Sequence, residues 1–147
     1  MKNSSMSAVM FLFYLPCLVL WGCTGSTPGV EPAVHEEVEP IARTEFTDRV
    51  ENFFEYEPLR AGHPSQFRIH LTDLSDGSPV EKAQVDLTVR PKGGGDPVAR
   101  TTAKVGKVTG IYVAELVIPQ AGAYDVEFHI QSAKLDERLL LTDFKVE

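Results

Sequence analysis

The chain has 147 residues and a formal net charge of −7, with 21 acidic side chains against 14 Lys and Arg. That balance argues against nucleic acid as a partner, because neutralising phosphates requires clustered Lys and Arg, and the sequence has no such cluster. Both cysteines, Cys17 and Cys23, and all three methionines, Met1, Met6 and Met10, fall within the first 23 residues. Residues 24–147 therefore offer no disulfide and none of the thiolate or thioether ligands that soft metals such as Cu(I) prefer.

Residues 1–22 divide into a short polar start carrying Lys2, an apolar run from Ala8 to Trp21, and a small residue, Gly22. This is the layout of a secretory signal peptide. The run is shorter than the roughly 20 residues a membrane-spanning helix needs, and Pro16 interrupts it. The end of the segment, Leu20-Trp21-Gly22-Cys23, resembles the bacterial lipobox. That resemblance implies cleavage before Cys23 and acylation of its thiol and freed amine. Two or more acyl chains suffice for stable anchoring. Thr24 follows the cysteine where inner-membrane lipoproteins carry Asp, so the same resemblance implies an outer-membrane lipoprotein facing the periplasm.

Residues 23–44 comprise the expected lipidated cysteine and a stretch with Pro28, Pro32, Pro40, several acids and few large apolar side chains. Such a composition cannot bury enough surface to fold and reads as a disordered tether. About 20 flexible residues span roughly 25 Å, enough to lift a domain off the headgroups.

From 45 to 147 the apolar residues recur with period two, broken by Gly, Pro and Asp clusters. The pattern predicts an all-β domain with strands near 49–57, 67–73, 84–91, 97–104, 111–118, 122–132 and 135–146. Seven short strands in about 100 residues suggest a single immunoglobulin-like Greek-key sandwich. Gly122-Ala123-Tyr124 places a tyrosine just after a glycine turn, at the start of a strand with Val126, Phe128 and Ile130 on its face. This resembles the tyrosine corner of Greek-key sandwiches, which makes Tyr124 and Gly122 structural residues.

The stretch Phe54–Val80 carries Glu55, Tyr56, Pro58, Leu59, Gly62, Pro64, Ser65, Phe67, His70, Thr72, Leu74, Asp76, Gly77, Pro79 and Val80. In this pattern it resembles the N-terminal β-sandwich module of the periplasmic adaptor subunits of heavy-metal RND efflux systems. The resemblance implies a β-sandwich in an efflux-associated or envelope-binding context. Those adaptors continue into further domains, whereas this sequence runs to Glu147, so bridging by the adaptor mechanism is not implied.

No catalytic motif is present: there is no Gly-x-Ser-x-Gly and no His-Glu-x-x-His, and Gly93-Gly94-Gly95 leads into Asp96-Pro97 rather than a helix with a Lys. No enzyme activity and no cofactor are expected. His63, His70 and His129 are weak metal-ligand candidates, and His35 lies in the tether beside Glu36 and Glu37. Strand parity points His70 and His129 outward on opposite sheets, where they cannot share an ion. Outward apolar groups suggest a docking surface instead, with Phe53, Leu139 and Leu141 as candidates; Leu139-Leu140-Leu141 puts leucine on both strand faces, which a β-bulge would also explain.

The expectation is therefore a lipid-anchored, non-catalytic interaction module that meets an envelope protein partner, an efflux component among the possibilities. A periplasmic metal-binding or buffering lipoprotein and a structural envelope lipoprotein unrelated to transport remain as alternatives.

Overall fold

The computed structural model describes residues 38–147; among these there are ten β-strands and no helix. The strands are β1 (Ile41–Phe46), β2 (Val50–Tyr56), β3 (Pro64–Asp73), β4 (Ser78–Pro79), β5 (Gln84–Pro91), β6 (Ala99–Thr102), β7 (Lys104–Val105), β8 (Ile111–Val117), β9 (Gly122–Gln131) and β10 (Asp136–Val146). They form two antiparallel sheets. One, sheet A, has the order β1-β2-β3-β8-β7, with β4 also paired to β3; the other, sheet B, has the order β10-β9-β5-β6.

The period-two pattern works because successive side chains on a strand point to opposite faces. In β2, Val50, Asn52, Phe54 and Tyr56 are buried while the residues between them are half-exposed. Strand β3 buries Ser65, Phe67, Ile69, Leu71 and Asp73, and β9 buries Tyr124, Val126, Phe128 and Ile130. Between the sheets the rings of Phe54, Tyr56, Phe67, Phe128 and Phe144 pack against one another, with Phe54 and Phe128 centroids 4.9 Å apart and Tyr56 and Phe67 stacked at 5.0 Å. Aromatic pairs at such separations add to the simple burial of their area.

Ten strands replace the seven expected. All seven expected strands are present, and the additions have separate causes. Strand β1 runs through residues assigned to the tether, so the ordered chain reaches back at least to Ile41 rather than starting at 45. Its pairing with β2 over six rungs, Ile41 opposite Tyr56 through Phe46 opposite Glu51, overrides a composition that argued for disorder. Strands β4 and β7 are two-residue pairings. The latter arises because the expected strand 97–104 leaves β6 on sheet B, passes through buried Ala103, and joins β8 on sheet A.

At Gly110 the chain needs glycine on two counts. Its φ is +79°, and a Cβ would come within 2.6 Å of the Pro79 Cβ. That close approach lets Leu71 N–H donate to the Gly110 carbonyl at 2.9 Å while Val80 N–H donates to the Leu71 carbonyl at 2.9 Å. The segment 74–83 is thereby fastened between β3 and β8.

Candidate functional site: the outer face of sheet A

Cys23 and His35 lie outside the described residues. Of the others, Phe53 stands on the outer face of sheet A, as parity predicts. It belongs to a row that crosses four strands, in which Thr44 faces Phe53, Phe53 faces His70, and His70 faces Ile111. The Phe53 ring meets the His70 imidazole edge-on at 5.2 Å and 72°. His70 Nε2 is shielded from solvent and has no hydrogen-bond partner among the described residues. An imidazole held this way packs as an aromatic, and it is poorly placed to reach out to an ion. Phe46, 60% exposed, flanks the row at the end of β1, and Val113 and Val117 continue the apolar surface on β8, Val117 being exposed. The rim is charged: Glu51 and Glu55 on β2, Glu115 on β8, and Arg68, whose Nη1 lies 3.5 Å from the Glu55 carboxylate.

His129 stands on the outer face of sheet B, so the two strand histidines occupy opposite surfaces of the sandwich. Its Nε2 lies 2.7 Å from an Asp136 oxygen, and next to it Arg138 Nη1 donates to Glu127 at 2.9 Å. The third, His63, is exposed in the β2–β3 turn, beside an open groove that also involves Glu57, Pro58, Arg60 and residues 38–40. Among the described residues no three His, Cys, Asp or Glu side chains converge in a manner that could hold a metal ion.

Leu139 and Leu141 are not surface residues. Both are 8% exposed and belong to the core, while Leu140 between them points outward at 59%. The cause is a bulge placed later than the leucine run. Leu139 pairs with Phe128 and Leu141 with Val126, and then Thr142 and Asp143 together oppose a single residue, after which Phe144 pairs with Tyr124. Inward parity therefore switches from Leu139 and Leu141 to Phe144 and Val146. As docking candidates Leu139 and Leu141 are withdrawn, and Leu140 is the leucine that faces solvent.

The tyrosine corner is formed. Tyr124 donates its hydroxyl to the Gln120 carbonyl at 2.8 Å, and Gly122, with φ +152°, lies under the Tyr124 ring. A second tyrosine does related work unseen in the sequence: buried Tyr112 donates to the Val80 carbonyl at 2.8 Å and accepts from Ala83 N–H at 3.0 Å, fastening the crossover between sheets. Two short side-chain turns precede that crossover. Asp73 accepts from the Ser75 side chain and backbone, and those hydrogen bonds hold its carboxyl below the usual carboxylate range. Asp76, bonded by Ser78, is lowered likewise.

A polar cluster lies where β1 and β10 approach across the open side of the sandwich. Arg43 points inward, donating to Asp143 at 2.8 Å and to Glu45 at 2.6 Å, with its guanidinium 5.2 Å from the Phe144 ring centroid. Burial pulls the Arg43 pKa down, but the bonds and charges of the two carboxylates outweigh it and leave the group net raised. Burial likewise raises the Tyr56 phenol, against the opposing charge of Arg43. Asn52 sits on the same inner face, fully buried, and neither its Oδ1 nor its Nδ2 has a hydrogen-bond partner among the described residues. The sequence does not reveal this cluster because Arg43 lies in a stretch whose composition reads as tether; its one signal is Asn52 at a core-parity position among apolar neighbours.

No curated protein sequence matches the chain. Among solved structures, the chain is similar to the ZirS C-terminal domain over 97% of each chain, at 13% identity and a TM-score of 0.42, too distant to carry any inference. The YtkA-like family model matches residues 47–129, which run from the turn before β2 to His129 on β9. The chain belongs to the YtkA-like family.

Proposed function

We propose that this chain is a lipid-anchored accessory protein of the bacterial envelope, non-catalytic, working by docking the outer face of sheet A onto an envelope partner of heavy-metal efflux machinery. The observation that carries the reading is the Thr44-Phe53-His70-Ile111 row on the outer face of sheet A, with its half-buried aromatic pair Phe53 and His70 and the exposed Phe46 and Val117 on the same face. Contiguous exposed apolar surface with a charged rim is the usual mark of a protein-binding face. The leader layout and the lipobox resemblance at Cys23 support the anchored, periplasm-facing location. The resemblance of Phe54–Val80 to efflux adaptor modules supports the class of partner. As a docking body we read the sandwich as immunoglobulin-like, because β2-β3-β8-β7 stacked on β10-β9-β5-β6 matches that strand order once β1 is set aside.

Complementation tests the reading. In the producing organism, deletion should lower tolerance to copper, zinc, cobalt or nickel salts, and the native chain should restore it. Phe53→Asp and Phe46→Asp, at equal abundance, should restore it poorly, while His129→Ala on the opposite sheet should restore it fully. Unchanged tolerance on deletion would remove the efflux link, and full rescue by both phenylalanine variants would remove the docking face.

A further inference from the structure

Strand β1 is bound differently from the other long strands. None of its six residues is buried, whereas β2, β3, β5, β8, β9 and β10 each contribute side chains to the core. What holds it is backbone pairing to β2, the Arg43 clasp to Asp143 of β10 and the Arg43 guanidinium laid over the Phe54 and Phe144 rings. Beside it on the inner face lies Asn52, opposite Glu45, with both amide atoms buried and without a hydrogen-bond partner among the described residues. An unpaired buried amide disfavours the closed arrangement, since water reaches such a group as soon as its cover lifts. Closed β1 thus buries none of its own residues and flanks a group that prefers to be wet. Behind β1, the edge of β2 is a complete strand edge with all seven residues in regular pairing on its other side.

We propose that β1 is an exchangeable strap: it leaves its own β2 and is replaced by β1 of a second copy of this chain. The second copy is the occupant because its β1 supplies the same six rungs, the same Arg43 for Asp143 and the same flanking charges. Among the described residues no other strand offers the β2 edge that set. The exchanged pair repeats every contact of the closed chain, so the barrier and the local protein concentration decide between them. The hinge is short, residues 47–49, where the Thr47 hydroxyl accepts from Arg49 N–H at 3.1 Å and from Val50 N–H at 2.9 Å, and Asp48 and Arg49 are exposed.

Register pairs on the outer face provide the test. Ala42 of β1 faces Glu55 of β2, and directly opposed residues lie about 4.5–5.5 Å apart at Cα, within disulfide reach. Full chains bearing either Ala42→Cys or Glu55→Cys, each with its own affinity tag, are mixed in lipid vesicles under mild oxidant and sampled over time. The unsubstituted chain, which keeps Cys17 and Cys23, sets the background. Mixed-tag disulfide dimers should appear above that background, and should exceed those from an out-of-register mixture of Ala42→Cys with Glu51→Cys. Adding Arg43→Ala should speed their appearance about threefold, the scale of one partly exposed ion pair, without changing the final level, because the clasp is lost equally from the closed and the exchanged arrangements. The doubly substituted single chain, Ala42→Cys with Glu55→Cys, should close a bond within itself when alone and dilute. Internal closure without any mixed-tag dimer would overturn the proposal, as would equal cross-linking by the out-of-register mixture or failure of the double variant to close.

Discussion

Tyr124 shows how much one hydroxyl can fix. Its bond to the Gln120 carbonyl ties the turn after β8 to the start of β9, and removing the hydroxyl leaves that acceptor without its partner. Tyr124→Phe should lower stability by about 1 kcal/mol, read as a shift in the urea midpoint at constant slope. The leucine triplet gives a sharper contrast within two residues. Leu139→Asp puts a charge into the core and should abolish cooperative unfolding, whereas Leu140→Asp lies on the surface and should leave the midpoint within about 0.5 kcal/mol; far-UV circular dichroism melts distinguish the two. Asp73 adds a pH signature. Its carboxyl is held below the ordinary value by the Ser75 hydrogen bonds, so the folded state favours the ionised form. That contribution is present above the unfolded carboxylate pKa, about 3.9, and is lost as pH falls through the lower folded value. Asp73→Asn should therefore melt lower than the native chain at pH 7, and the gap should close as pH drops below about 4.

At the scale of elements, sequence and structure agree wherever burial alone sets the pattern. Strand β5 matches its expected span, 84–91, residue for residue, and β2, β3, β8, β9 and β10 are met within a few residues, because one face of each is packed and period two follows from that. The parity of Phe53, His70 and His129 was legible for the same reason. What the pattern could not show was anything set by pairing partners. Most of strand β1, residues 41–44, reads as tether because it continues a Pro- and acid-rich stretch and none of its residues is buried; only pairing with β2 makes it a strand. The Leu139–Leu141 run has no parity of its own, and the bulge at Thr142-Asp143 that assigns it is fixed by the register with β9. The same bulge presents Asp143 to Arg43, so the polar cluster was hidden twice. Since β1 buries none of its own residues, its release is opposed chiefly by backbone bonds of about 1 kcal/mol each, the Arg43 clasp and the packing of that guanidinium on the Phe54 and Phe144 rings. Its amides should exchange with deuterium well before those of β3 and β9, at a rate independent of the global unfolding free energy. Simultaneous exchange of all three strands would show that β1 is as firmly held as the core.

For the molecule as a whole, the choice is between a protein that works by its surface and one that works by a bound ion. The outer faces of the two sheets carry one strand histidine each, His70 packed against Phe53 and His129 beside Asp136, with the whole sandwich between them. His63 stands apart in a turn, and residues 24–147 contain no thiol or thioether. Single imidazoles without converging partners hold borderline metals weakly. The acidic surface adds dispersed carboxylates but no site in which three donors meet among the described residues. The most direct measurement is a calorimetric titration of the chain with Zn(II), Co(II), Ni(II) and Cu(II) at neutral pH. Action through the outer face of sheet A predicts affinities no tighter than about 10 μM, roughly −7 kcal/mol, unchanged by His70→Ala or His129→Ala; a stoichiometric submicromolar site abolished by either substitution would contradict it.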